Sequence, residues 1–187
     1  TPANPTMQTL LQAPANQNLA DRIISYMRGT DYNSKFCSST VATPCTLDSD
    51  CPGGETCINY RNRTVTVDVT TNTWKLGDII SSTPKIVAWT PLNGYYKTYS
   101  DQSYKTFTES TTNGYKDRGM VFAGANDGML HAFYLGKLEL EWTGQTNNEK
   151  AKLSDPSSVG RGKEVWAFIP KNALPYLKYM ADANYCH

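Results

Sequence analysis

Cysteine supplies most of the reactive chemistry in this chain. Four of its five cysteines, Cys37, Cys45, Cys51 and Cys57, follow one another at C-x7-C-x5-C-x5-C spacing. The run from Thr46 to Cys57, Thr46-Leu47-Asp48-Ser49-Asp50-Cys51-Pro52-Gly53-Gly54-Glu55-Thr56-Cys57, is polar and turn-rich. Such a segment cannot build an apolar core. Two disulfides would compensate by restricting its unfolded chain, which requires an oxidising compartment. The competing chemistry is a zinc site. Zinc clusters pair cysteines at C-x2-4-C and recruit histidine, and neither a close pair nor a neighbouring His occurs here. Four cysteines allow three pairings, and spacing leaves all three open. Cys186 is left over; an odd cysteine in an exported chain is expected to find its partner elsewhere, here beyond His187. Asp48 and Asp50 beside Gly53 and Gly54 lack the third ligand and the distal Glu of a helix-loop-helix calcium site, so they read as turn formers.

Other constellations point away from catalysis. The two histidines are His131 and the final residue His187. His131 lies in a strand-like run where alternation turns it toward a sheet face, which fits a structural imidazole better than a general base. The sequence holds no G-x-S-x-G elbow, no H-E-x-x-H and no phosphate-cradling glycine loop. Asp78 and Asp127 sit in turn contexts and read as backbone-capping groups. Asn62-Arg63-Thr64 is a glycosylation acceptor in a host able to use it.

The elements that position these residues follow from composition and periodicity. The 187 residues carry 18 Lys+Arg against 17 Asp+Glu, and this balance argues against a phosphate-neutralising nucleic-acid binder. No apolar run approaches the ~18 residues of a membrane-spanning helix. A charged fraction of 19%, below the ~25% of average soluble domains, together with abundant Thr and Asn suits an exported β-protein. The opening Thr1-Pro2-Ala3-Asn4-Pro5 has neither an initiator Met nor a signal peptide, so a mature form or a piece of a longer chain is expected.

Residues 1–16, with three prolines, read as an extended lead-in. Leu19, Ile23, Tyr26 and Met27 share one face of an amphipathic helix over 17–29, with Asn16 or Asn18 as cap and Gly29 as stop. Thr64–Thr70 alternates as a half-buried strand does. Further strands are expected at Ile86–Trp89, Met120–Gly124, Leu130–Tyr134 and Lys163–Ile169, with a tight turn at Asn126-Asp127-Gly128. Polar stretches at 93–118 and 143–162 read as loops, and a short helix should begin near Pro175.

Two patterns carry more specificity. Gly124-x-x-Asp127-Gly128-x-x-x-Ala132-Phe133 followed by Gly162-x-Glu164-x-Trp166-x-Phe168 is the order of features in a quinoprotein-type propeller blade. An Asp-Gly turn ends one strand, small Ala132 on the next faces a neighbouring blade, and the later turn docks the Trp166 indole between blades. The stretch 120–169 exceeds the usual ~40–45 residues because of an insertion at about 143–160. Trp142 and Trp166 as plain core aromatics are the plainer alternative.

The strings Trp74–Val87, containing Gly77, Asp78 and Pro84, then Arg118–Phe133, then Glu164–Pro170, closely resemble the entry to the C-terminal propeller of the PilC/PilY family. These are type IV pilus tip-associated adhesins and biogenesis factors. Leu177-x-x-Met180-Ala181-Asp182-x-x-Tyr185-x-His187 and the helix from Leu19 to Asp31 are similar to flanking family segments. The resemblance covers roughly 17–34 and 60–187.

The resemblance implies a mainly β fold: the opening blade or blades of a quinoprotein-like β-propeller, preceded by a short amphipathic helix and a disulfide-rich insertion. The expected divisions are a lead-in and helix over 1–34, the cysteine insertion over 35–63 and the first part of the propeller over 64–187. It further implies a non-enzymatic protein of the pilus tip, cell surface, outer membrane or periplasm. Its partners would be minor pilins or the pilus tip complex and a host or abiotic surface, in pilus assembly, adhesion and twitching motility. Nucleic acid is not an expected partner and no transmembrane segment is expected. No catalytic residue or cofactor is expected in this segment. Family members can bind calcium through a D-x-D-x-D-x-x-x-D string; this segment lacks it, so no metal ligand is carried over here, while the resemblance leaves calcium binding open for the intact protein.

Two alternatives share the blade type: a pyrroloquinoline quinone-dependent dehydrogenase, whose adjacent Cys-Cys pair is absent here, and an outer-membrane assembly scaffold. Contact surfaces are expected on the loops 93–118 and 143–162 and on the segment 37–57. Tyr95, Tyr96, Tyr99, Tyr104 and Tyr115 make the first of these loops aromatic, which gives contact area at low entropy cost.

Overall fold

A computed structural model of the chain describes residues 4–110 and 114–185. Cys186, with its expected external partner, and His187 lie outside the described residues. In chain order the elements are α1 (Pro5–Leu10), α2 (Gln17–Met27), β1 (Phe36–Cys37), β2 (Cys57–Ile58), β3 (Thr64–Val67), β4 (Thr70–Thr73) and β5 (Lys85–Val87). There follow α3 (Tyr95–Thr98), α4 (Gln102–Glu109), β6 (Gly119–Gly124), β7 (Leu130–Glu139), β8 (Lys152–Ser154), β9 (Glu164–Phe168) and α5 (Leu177–Ala181). Every strand pairing is antiparallel. The architecture is mainly β with a substantial helical share, and no closed ring of blades forms among the described residues. Two compact units result. One gathers Thr1–Asp78, Asn126–Gly128 and Ile169–His187, and the other Ile79–Ala125 and Met129–Phe168.

The first unit is built on helices. The lead-in expected to be extended instead forms α1. The Asn4 side chain accepts from the Met7 N–H, and Pro5 stands in the first turn, where its missing N–H costs nothing. Leu11 and Ala13 then bury almost completely. Helix α2 starts where expected and ends at Met27, two residues before the expected 29, with the Asn16 side chain accepting from the Leu19 N–H and Gly29 beyond its end at φ 101°. Its Leu19, Ile23 and Tyr26 pack with Phe36, Tyr60, Leu177 and Met180 in one core. Full burial of each such side chain stabilises the fold by about 1.5–3 kcal/mol. The Tyr60 ring meets Tyr26, Tyr32 and Phe36 edge-on at 5.0, 5.8 and 5.0 Å. The helix expected near Pro175 begins two residues later as α5, after a 3-10 segment over Lys171–Tyr176.

The half-buried strand expected over 64–70 is a hairpin instead. Asp68 adopts φ 53°, so the chain reverses at Asp68-Val69 and β4 returns along β3. The alternation is that of a strand, but every residue of β3 is exposed, and Val69 at the tip is 97% exposed.

The second unit is a meander. Strand β5 pairs with β6, β6 with β7, and the first part of β7 with β9. The remainder of β7, Lys137–Glu139, pairs with β8, a strand inside the stretch expected to be a loop. Gly136, at φ 97°, marks the change of partner, and a Cβ there would collide with the Ser154 carbonyl oxygen. The polar stretch 93–118 likewise holds α3 and α4; Asp101 caps α4 by accepting from the Tyr104 N–H at 3.0 Å. Trp89 falls outside β5 at φ 55°, and its Nε1–H donates to the Gly136 carbonyl at 3.1 Å.

Candidate functional site

The disulfide segment is a small, fully cross-linked module. Phe36 and Cys37 face Ile58 and Cys57 across β1 and β2, and the bonds are Cys37–Cys51 and Cys45–Cys57. This selects one of the three pairings the spacing left open. The sulfurs of Cys37, Cys45 and Cys51 lie within 4.8 Å of one another, but oxidised sulfur is not a thiolate ligand, so the group does not form a zinc site.

Carboxylates finish the module. Glu55 accepts from the Ser39 and Thr40 N–H groups and from the Thr40 hydroxyl, which hold its carboxyl below the usual range, the Thr40 hydroxyl contributing most. Asp50 accepts from the Leu47 and Thr46 N–H groups and is lowered in the same way. Asp48 accepts from the Cys57 N–H at 2.7 Å. Asp48 and Asp50 thus spend oxygens on backbone donors, the turn role their spacing implied, and do not fit a calcium donor set.

The residues of the blade-like motif fall in both units. In the first, Asp127 Oδ2 accepts from the Gly77 N–H at 3.0 Å, and the Asp78 carbonyl accepts from the Asn126 N–H at 2.9 Å. Gly128, at φ 79°, lies against Met180 and Ala173. Trp74 donates its backbone N–H to the Arg63 carbonyl while its ring stays 62% exposed. In the second, Pro84 precedes β5, and the Gly124 N–H donates to the Ser82 hydroxyl at 3.0 Å. Ala132 is fully buried in β7. His131 is buried beside it, with Nδ1 2.6 Å from Glu164 Oε1 on β9. Trp166 tilts against Phe122 at 5.6 Å and remains 44% exposed.

The aromatic stretch is ordered by its own contacts. Tyr95 meets Tyr99 and Tyr104 at 6.1 Å each, and the Tyr104 hydroxyl donates to the Leu92 carbonyl. Tyr95 and Tyr99 are exposed and Tyr96 is half-buried beside Lys97. Tyr115 departs from the expectation of a contact residue. It is buried against Phe107, its hydroxyl donates to the Thr90 carbonyl at 2.8 Å, and burial pushes its pKa up.

Two curated proteins are similar to this chain, both type IV pilus biogenesis factor PilY1 homologues of Xylella fastidiosa strain Temecula1. One is 31% identical over 115 residues and the other 28% over 118, each match covering 60% of this chain. Over these residues the chain is similar to PilY1 homologues. It spans 7% of the first relative's length and 6% of the second's. No protein-family model matches the chain, and no solved structure does.

The first unit also holds an ion pair that the sequence did not announce. Arg63, the middle residue of the Asn62-Arg63-Thr64 sequon, is buried. Its guanidinium pairs with Asp31 Oδ1 at 2.8 Å, donates to the Tyr26 and Thr30 carbonyls and lies 3.8 Å over the Tyr26 ring. Burial opposes ionisation of Asp31. Hydrogen bonds from Thr73 and Arg63 and the charges of Arg63 and Lys75 outweigh it and lower its pKa. Neither residue lies in a recognisable charge pattern. Among the described residues no helix is long and apolar enough to cross a membrane.

Proposed function

We propose that this chain is part of a non-enzymatic type IV pilus biogenesis protein that works through protein contacts at the pilus tip. The observation carrying this reading is the similarity to two PilY1 homologues across 60% of the chain. Minor pilins are the partners, and a host or abiotic surface is the adhesion target. The two disulfides suit the exported location this requires.

The meander β5-β6-β7-β9 has the strand number and up-and-down order of one propeller blade, which supports its being an opening blade. Ile86, Trp166 and Phe168 on it are 64%, 44% and 57% exposed, the kind of apolar surface a neighbouring blade would cover. Tyr95, Tyr96, Tyr99 and Tyr104 offer one contact surface, on the second unit, and the disulfide module offers a separate one on the first.

The test is an in-frame deletion of this segment from its gene in the native organism. Loss of surface pili and of twitching, with the remainder of the protein still exported, is expected. Normal piliation and motility would overturn the reading.

A further inference from the structure

The first unit contains a cleft of about 360 Å³, one wall of which is the disulfide module. It lies between the α1–α2 connection, the disulfide segment and α5. Its size falls within the ~300–1,000 Å³ of small-molecule sites. Pro14, Leu19 and Ile58 give it apolar surface, and Ser39, Thr56 and Asn59 give it neutral hydrogen-bonding groups.

Charge is nearly absent from its chemistry. The base in the wall, Lys178, donates to the Gln12 carbonyl at 3.1 Å, and the acid, Asp182, accepts from the Asn184 N–H at 2.8 Å. With one group of each sign, both engaged, the wall favours neither an anion nor a cation.

Two further observations converge on the same place. Asn59 Oδ1 and the Tyr60 hydroxyl, both on lining residues, are sealed from solvent and have no hydrogen-bond partner. Such groups are rare in folded proteins and call for an explanation. Asn59 itself is half-buried and lines the cleft, so a ligand hydroxyl can meet its side chain there. The connection along one wall is also strained: Gln12 and Ala15 both hold positive φ, 54° and 55°, without being glycine. Strain of this kind concentrates at ligand sites.

We propose that this cleft binds a neutral sugar ring. A sugar offers hydroxyls that both donate to Asn59 and accept from Ser39 and Thr56, and a C–H face that packs on Pro14 and Ile58. The inference goes beyond the pilus reading and is separable from it, because it is measured on the isolated chain without pili.

The test is saturation-transfer NMR on the full 187-residue chain. Methyl α-glucoside, methyl α-mannoside, methyl β-galactoside and N-acetylglucosamine serve as probes, with N-acetylglycinamide and inorganic phosphate as controls. Transfer to at least one sugar is expected. Asn59→Ala and Thr56→Val should each weaken it about tenfold. Ser39→Trp, a change at an exposed rim position that leaves the core intact, should abolish it. Absence of transfer to every sugar, transfer unchanged in the Ser39→Trp protein, or binding of a control in place of the sugars would each overturn the proposal.

Discussion

Gly77 and Asp127, fifty positions apart in sequence, are held backbone to side chain by the bond from the Gly77 N–H to Asp127 Oδ2 at 3.0 Å. The approach is so close that a Cβ on residue 77 would stand 2.5 Å from the Asp127 backbone nitrogen. The glycine therefore serves for its missing side chain at a normal backbone angle, and the aspartate serves as a backbone acceptor.

Gly77→Ala should accordingly destabilise the first unit, because backbone rather than a flexible side chain must move. Overpacking of this kind costs about 1–3 kcal/mol. Asp127→Ala, which removes an acceptor, should cost about 1 kcal/mol. Urea denaturation of both variants checks the order; an alanine at 77 as stable as the parent would contradict the close approach.

Replacing Arg63 leaves Asp31 and two carbonyls without their buried partner. Arg63→Ala should cost about 3–5 kcal/mol. The Asp31 carboxyl is more acidic folded than unfolded, so its contribution is complete above its ordinary value of 3.8 and disappears as pH falls through the lower folded value. Urea midpoints measured from neutral pH into that acid range should decline in the parent and decline less steeply in Asp31→Asn.

Reduction should unfold the module around Cys37–Cys57 before the rest of the chain. The two bonds close loops with sequence separations of 14 and 12, each worth about 3 kcal/mol by chain entropy. Peptide mapping without reduction should recover Cys37 joined to Cys51 and Cys45 joined to Cys57; any other pairing would contradict the geometry. Hydrogen exchange under graded reductant should show residues 36–58 losing protection first.

Phe168 is 57% exposed on β9. In this chain Phe168→Thr should change stability by no more than about 0.5 kcal/mol. In the intact protein the same change should cost several times more, since a neighbouring blade would bury the ring. Equal effects in both would remove the support that the exposed face lends to the propeller reading.

Sequence patterns revealed some elements here far better than others. Helix α2 was legible because Asn16, the spacing of Leu19, Ile23 and Tyr26, and Gly29 all point the same way. Strands β6 and β9 and the first half of β7 were legible because each is a short run holding β-branched or aromatic residues near a glycine, whereas the continuation of β7 through Gly136 to Glu139 was not. The reversal at Asp68 was hidden because the Thr-Val alternation runs straight through it. Strand β8 was hidden because Lys152–Ser154 has a single apolar residue, and its pairing with β7 adds the Lys152–Glu139 ion pair to the backbone bonds. Burial of Tyr115 depends on Phe107 and Thr90, contacts that no local pattern encodes. For the same reason spacing stated that four cysteines would pair but not which.

The short strand β8 also protects the sheet. Strand β9 covers one edge of β7 at Leu130–Phe133, and β8 takes up that edge at Lys137–Glu139. Without it, the far end of the longest strand would present a row of unsatisfied amides and carbonyls beside Leu138, a template onto which another molecule can add its own strand. The polar excursion from 140 to 163 is thus a built-in guard against self-association, and shortening it for expression or crystallisation would trade a loop for aggregation.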